Sequence, residues 1–282
     1  MIEVTNVSVS ISGKKLLDDV TFRARPGEVT GLIGPNGAGK STMLAVLSGD
    51  LEHQSGTVSV MGLDPASSSK KELARARAVM LQDVGVSFEF LVRDVVAMGR
   101  RPWEGTDRET LDDRIIDSAL AAADATHLAG RDVITLSGGE RARVALARVL
   151  AQQTPVIMLD EPTAALDIKH QEQVLGLVRS LAQQAHVAVI VVLHDLNAAA
   201  AYCDHIVCLA GGKVAAAGSV AEVYTDTTLS DIYGWPISVS ITDDVVSVHP
   251  ARRYATTSEA DFLSLVANPE HTADTLEPVN QS

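Results

Sequence analysis

Nine consecutive residues, Gly34-Pro35-Asn36-Gly37-Ala38-Gly39-Lys40-Ser41-Thr42, fit the pattern G-x-x-x-x-G-K-[ST]. The glycines let backbone N–H groups converge on an anion, and the helix that follows adds the positive end of its dipole. Lys40 supplies a full charge for the β- and γ-phosphates of a nucleotide, and the Ser41 hydroxyl is placed to ligate Mg²⁺. The competing reading is a glycine-rich surface turn with an incidental lysine. The flanks decide between them. Residues 28–33 read as a buried strand and residues 41–47 as a helix stopped near Gly49. Strand, loop and helix in that order is the context in which the pattern holds phosphates.

A pair of acids is the second signal. Val156-Ile157-Met158-Leu159 follows Pro155 as a short, wholly apolar run and predicts a central parallel strand that ends in Asp160-Glu161-Pro162. Two adjacent carboxylates there are unfavourable unless they hold a cation or pass a proton. With a phosphate loop in the same chain, Asp160 reads as the Mg²⁺ ligand and Glu161 as the group that orients or activates an attacking water. Without the loop they would be solvated acids at a strand end. Leu136-Ser137-Gly138-Gly139-Glu140 opens a helix with Ser137 at its N-cap, which makes a second N-terminus able to meet an anion. An ordinary capped helix has the same composition. His194 follows the apolar run 187–193 and falls at a strand's C-terminal edge, where ligands bind in open α/β sheets. A structural histidine is the alternative. Gln82, closing the strand-like run 79–82, carries no signal alone.

These residues need an α/β scaffold, and the rest of the chain supplies one. Its 282 residues suffice for one large domain or two ordinary ones, and its composition, 46% hydrophobic and 21% charged, is that of a globular protein. A formal net charge of −13 argues against a nucleic-acid surface, which needs a basic stripe. No apolar run approaches membrane-spanning length, and Met1-Ile2-Glu3-Val4 shows no secretory leader. The two cysteines, Cys203 and Cys208, read as buried free thiols.

In chain order, residues 2–33 predict a small antiparallel sheet, with Val7, Val9 and Ile11 sharing a face. Residues 57–61 predict a strand, and Ser67-Ser68-Ser69 a cap for a helix from Lys70 to about Ala78. Residues 83 to about 152 read as a mostly helical insertion. In it Asp107 caps a helix with Leu111, Ile115, Ile116, Ala119 and Leu120 on its apolar face. Ala164-Ala165-Leu166-Asp167 leads into a helix over 169–184. A hairpin turns at Gly211-Gly212, Ser219 to Glu222 makes a capping box, and short strands follow near 237–241 and 245–248. The folded domain spans residues 2–250. Residues 251–282 are polar and aperiodic, an expected disordered tail in which 262–266 could form one helical turn.

Taken together, the phosphate loop, Gln82, Leu136-Ser137-Gly138-Gly139-Glu140, Asp160-Glu161, Ala165-Leu166-Asp167 and His194 resemble the nucleotide-binding subunits of ABC transporters over residues 2 to about 250. The resemblance implies an ATP-hydrolysing cassette with a parallel-sheet core of the RecA type, an antiparallel β subdomain and the helical insertion. It implies ATP and Mg²⁺ as ligands and a homodimer enclosing two ATPs. Each ATP would be held by one chain's Lys40 loop and by Ser137, Gly138, Gly139 and Glu140 of the other, with Asp167 in the loop at the dimer contact. Gln82 is implied to sense Mg²⁺ and the permease, Glu161 to handle the water and His194 to meet the γ-phosphate. Further resemblance lies in residues 78–82, Phe88-Glu89-Phe90, residues 94–102 and His194-Asp195-Leu196-Asn197. These look like the haemin importers within the iron-siderophore and cobalamin group. They imply a peripheral place on the cytoplasmic face of the membrane, two transmembrane permease subunits docking near Phe88 and Phe90, of which at least one otherwise reads as core of the helical insertion, and an indirect dependence on a periplasmic or lipid-anchored substrate-binding protein. Ferric siderophore or cobalamin as cargo, or a soluble ABC-type assembly ATPase, are the competing functions. The chain departs from the family in two places. No aromatic stands near Ile11 to stack an adenine, and Ala165 replaces a common serine.

Overall fold

The computed structural model describes residues 1–81, 89–252 and 266. The chain opens with β1 (Ile2–Ile11) and β2 (Lys14–Ala24), an antiparallel pair, then β3 (Val29–Ile33), the phosphate loop and α1 (Lys40–Ser48). Strand β4 (Ser55–Val60) returns to pair with β1, giving a three-stranded sheet of order β2-β1-β4. Asn6, at φ 53°, sits where the register shifts between Val4 and Val7. That bulge moves the buried phase of β1 from Ile2 and Val4 to Val7 and Val9. A further shift after Val9 leaves Ile11 at the open end of the strand, 47% exposed and outside the face expected for it.

Helix α2 (Lys70–Ala76) starts on a Ser69–Glu72 capping box and gives way to β5 (Arg77–Met80), two residues earlier than the sequence suggests. The insertion follows with α3 (Val92–Ala97), 3₁₀ turns over 98–103 and 107–111, α4 (Asp112–Ala122) and α5 (Gly138–Ala151). Asp107 therefore begins a 3₁₀ turn, and Leu111 lies exposed ahead of the apolar face that Ile116, Ala119 and Leu120 bury. Arg100, 2% exposed, ties the insertion together. Its Nε donates to Asp112 Oδ1 at 2.7 Å and its guanidinium to the carbonyl of Ala151 at 2.8 Å. Gln152, just past α5, donates to the carbonyls of Ala74 and Arg77 and so fastens the insertion to the edge of the core.

The core continues through β6 (Val156–Asp160), α6 (Ile168–Ala185), β7 (Ala188–Val192), α7 (Leu196–Tyr202), β8 (His205–Ala210) and β9 (Lys213–Gly218). The main sheet has the order β5-β6-β7-β3-β8-β9, parallel except for β9, whose hairpin turns at Gly211-Gly212. Its central strands are buried on both faces, as their unbroken apolar runs require. Ile157, Leu159, Val189 and Val191 pack with α5, α6 and α7. Val156, Met158, Ile190 and Val192 pack with α1 and the antiparallel sheet. The chain ends with α8 (Val220–Val223) on the Ser219–Glu222 box, α9 (Asp226–Tyr233) and the hairpin of β10 (Ile237–Thr242) and β11 (Val245–Pro250). Asn197 of α7 holds β11 through Val248 N–H at 2.7 Å. Both cysteines are buried and unpaired, and burial pushes each thiol up to about 12. Residues 253–265 and 267–282 of the expected tail lie outside the described residues, as do Gln82 and Phe88.

Candidate active site

Register in the sheet gathers the chemistry at one edge. Asp160 of β6 pairs with Val192 of β7, and Val192 with Leu32 of β3. Asp160 thus stands two strand spacings, about 10 Å, from the strand that feeds the phosphate loop. Glu161, His194 and Gly34 each follow that row at the C-terminal ends of their strands. Met80 ends β5 in register with Leu159, so β5 also points its C-terminal end to this edge.

The loop is closely fitted. Gly34, at φ 140°, faces β8 so tightly that a Cβ would overlap the Leu209 carbonyl oxygen, and one on Gly39 would come within 2.8 Å of Leu17 and 2.9 Å of the Leu16 carbonyl. Lys40 is buried and folds back over the loop, donating from Nζ to the carbonyls of Gly34 at 2.7 Å and Pro35 at 3.0 Å. Burial lowers its pKa, against the pull of Glu161 and Asp160. An incoming phosphate offers the same ammonium a full negative charge in place of two carbonyl dipoles. Ser41 and Thr42 continue into the first turn of α1.

Asp160 is 5% exposed, and its Oδ1 is buried without a hydrogen-bond partner among the described residues. Its carboxyl is raised by burial and by the neighbouring Glu161, and held back by the Ser41 hydroxyl, Lys40 and His194. An orphaned carboxylate oxygen beside a hydroxyl at the mouth of a phosphate loop fits Mg²⁺, which binds through one or two protein oxygens plus substrate phosphates. Glu161 takes a left-handed backbone, φ 51°, with its N–H on the Val192 carbonyl, and its carboxylate reaches Nε2 of His194. The two residues read separately from the sequence form one hydrogen-bonded pair.

The helix N-terminus read from the sequence as a second anion site is that of α5. Ser137 caps α5, its hydroxyl accepting from Glu140 N–H at 3.3 Å while Glu140 Oε2 accepts from Ser137 N–H at 2.8 Å. Arg131 pairs with Glu140 at 2.8 Å. Gly138 and Gly139 lie against the loop after Glu161, and a Cβ on Gly139 would stand 3.1 Å from the Ala165 carbonyl. Asp167 caps α6, accepting from His170 N–H at 3.0 Å. The backbone and ring of His170 hold its carboxyl below the usual range. Phe90 is 39% exposed, with exposed Leu91 beside it and exposed Leu81 across the undescribed 82–88 segment. His170 and Gln171 escaped the sequence reading. The signal available was their place in the first turn behind an Asp cap, where side chains turn back on the entering loop.

A parallel sheet whose C-terminal edge joins a glycine-lined phosphate loop, a Mg²⁺-competent aspartate and a glutamate–histidine pair defines a P-loop nucleotide hydrolase. A profile of the ABC transporter family matches residues 17–164. The hemin import ATP-binding protein HmuV of Thermobifida fusca is 51% identical over 234 residues, covering 83% of this chain and 82% of that protein. The cobalamin import ATP-binding protein BtuD of Halobacterium salinarum is 45% identical over 241 residues, 84% of this chain and 60% of that protein. Among solved structures, a dimeric post-hydrolysis state of the cassette MJ0796 bound to ADP and Pi superposes with a TM-score of 0.71 at 26% identity, covering 78% of this chain and 99% of that one. The chain belongs to the ABC transporter family and is an ATP-hydrolysing cassette of it.

Proposed function

We propose that the chain is the motor subunit of a haem importer, hydrolysing ATP in a two-cassette sandwich docked on a pair of permease subunits at the cytoplasmic face of the membrane. The cargo rests on one observation, the 51% identity to a hemin import ATP-binding protein across most of both chains. Among the described residues no helix is long and apolar enough to cross a membrane; in this reading the permease supplies the path. The exposure of Phe90 and its neighbour Leu91 supports a docking surface at this point of the chain.

In this reading the 34–42 loop and Lys40 hold the phosphates, and Ser41, Asp160 and Gln82 would hold Mg²⁺, which would offset the negative charge of the phosphate oxygens. Glu161, steered by His194, accepts a hydrogen bond from the attacking water and takes its proton as the oxygen bonds to the γ-phosphorus. The bond from that phosphorus to the β–γ bridging oxygen breaks, and the electron pair leaves with ADP. His194, nearly half exposed, is free on its outer side to meet the γ-phosphate. Ser137, Gly138, Gly139 and Glu140 face the partner's ATP, with Asp167 at the contact.

The test is uptake of labelled haem by cells carrying the intact gene or Glu161→Gln, alongside ATP turnover by the purified chain. The expected result is ATP binding without turnover in Glu161→Gln, because the amide keeps the shape and loses the base, and loss of haem uptake. Wild-type turnover would overturn the residue's role. Unchanged haem uptake with loss of cobalamin uptake would move the cargo to the reading that the 45% identity to BtuD favours.

A further inference from the structure

Away from the phosphate site, one side chain joins two parts of the molecule that a nucleotide sandwich would need in fixed relation. His170 stands in the first turn of α6. Its Nδ1 lies 2.6 Å from Asp167 Oδ1, and its Nε2 lies 3.6 Å from Asp124 Oδ2. Asp167 ends the loop whose Ala165 rests on Gly138 and Gly139. Asp124 lies just beyond α4, deep in the sequence of the helical insertion, and turns the chain there with φ 51°. The imidazole is mostly buried while both carboxylates are more than half exposed. The other charged groups facing this joint are Lys169 and Arg143, which line a 390 Å³ cavity with Asp124, His170 and Gln173.

The loop does not need the ring to stay on its own helix. Gln171 Nε2 donates to the carbonyls of Thr163 at 3.2 Å and Leu166 at 3.1 Å, and Asp167 caps α6 through the His170 N–H. What the ring adds is a side-chain link to Asp124, beside the packing of Ala165 on Gly138 and Gly139. We propose that His170 is a positioning residue: by bridging Asp167 and Asp124 it sets the 163–167 loop against the helical insertion, so that Ser137, Gly138, Gly139 and Asp167 meet the partner's nucleotide in one orientation. The inference rests on the two-cassette sandwich proposed above.

A double-mutant cycle tests it on the full chain carrying Glu161→Gln. Sedimentation with saturating ATP and Mg²⁺ gives the dimer dissociation constant for the parent, for Asp124→Asn, for His170→Ala and for both together. Asparagine tolerates the left-handed backbone at position 124 and removes only the charge. Each single substitution is expected to weaken the dimer by about two- to fivefold, the scale of one part-exposed side-chain contact, and the double no more than the stronger single. ATP affinity of the dilute monomer should stay at the parent's value, a split that general loosening of the fold would not give. An unchanged dimer in Asp124→Asn, additive effects, or a parallel loss of monomer affinity would each overturn the proposal. If His170→Ala fails to fold, Asp124→Asn, altered at an exposed carboxylate, still decides. A parent that stays monomeric under saturating ATP would instead sink the sandwich reading, and this inference with it.

Discussion

Replacing Gly34 with alanine separates a glycine required by packing from one that is required only by its own backbone. At φ 140° an alanine sits in a region other residues rarely enter, a strain of about 1–3 kcal/mol. Its Cβ would overlap the Leu209 carbonyl oxygen and stand 3.1 Å from the carbon and 3.3 Å from the nitrogen of the same residue. That residue cannot retreat freely. Leu209 pairs with Val214 in β9, and its neighbour Cys208 pairs with Ile33, the residue before the loop. Forcing the contact adds about 1–3 kcal/mol of overpacking. Together the two effects come to about 4 kcal/mol, which for a domain of this size lowers Tm by roughly 8–16 °C. Gly37 is the control in the same loop. It has φ 75° and no described atom within 4 Å of where a Cβ would stand, so only the left-handed penalty remains, about 1 kcal/mol and roughly 2–4 °C. Thermal unfolding of the nucleotide-free chain measures both. Gly34→Ala should also lose ATP affinity, because shifting this residue disturbs the loop whose N–H groups converge on the phosphates. Equal shifts for the two variants, or a Gly34→Ala protein that melts like the wild type, would refute the packing argument.

Asp160→Asn should abolish ATP hydrolysis yet stabilise the nucleotide-free chain at neutral pH. Because the folded carboxyl is raised, its ionisation disfavours the native state. The penalty is absent below the unfolded value near ~3.9 and complete above the raised folded value, so the gap between variant and wild type should open across that window in thermal unfolding measured against pH. A gap that is constant with pH would show that the carboxylate is not desolvated. Arg100→Met should cost about 3 kcal/mol or more by leaving Asp112 unpaired and the Ala151 carbonyl without its donor. A Tm loss below 2 °C would show that the guanidinium is dispensable to the insertion. With Ile11 as the nearest counterpart of an adenine-stacking position and no aromatic beside it, stacking worth roughly 1–3 kcal/mol is missing. ATP and GTP should then be hydrolysed with similar kcat/KM, and a hundredfold preference for ATP would mean that another group reads the base.

The sequence alone determined the local chemistry of this protein. The phosphate loop, the acids after an apolar strand, the Ser137–Glu140 and Ser219–Glu222 caps and the two-glycine hairpin are all short-range patterns. Their physics closes within a few residues, so they stand in the structure where the spacing put them. Strands buried on both faces were legible for the same reason, because no polar residue precedes Asp160 in β6 or interrupts β7. Tertiary structure decided what long-range pairing controls. The bulge at Asn6 reset which residues of β1 face inward and left Ile11 outside. The 3₁₀ turn from Asp107 replaced the start of a regular helix, and the Arg100 pairing fixes the insertion just there, where Asp112 begins α4. The strand order β5-β6-β7-β3 was not written in any segment, yet it alone brings Asp160, Glu161, His194 and Gly34 to one edge. The pairing of Glu161 with His194, and the bridge from Asp167 through His170 to Asp124, join residues 33 and 43 positions apart. Such contacts depend on how whole helices and strands pack, and local spacing has no means of recording them.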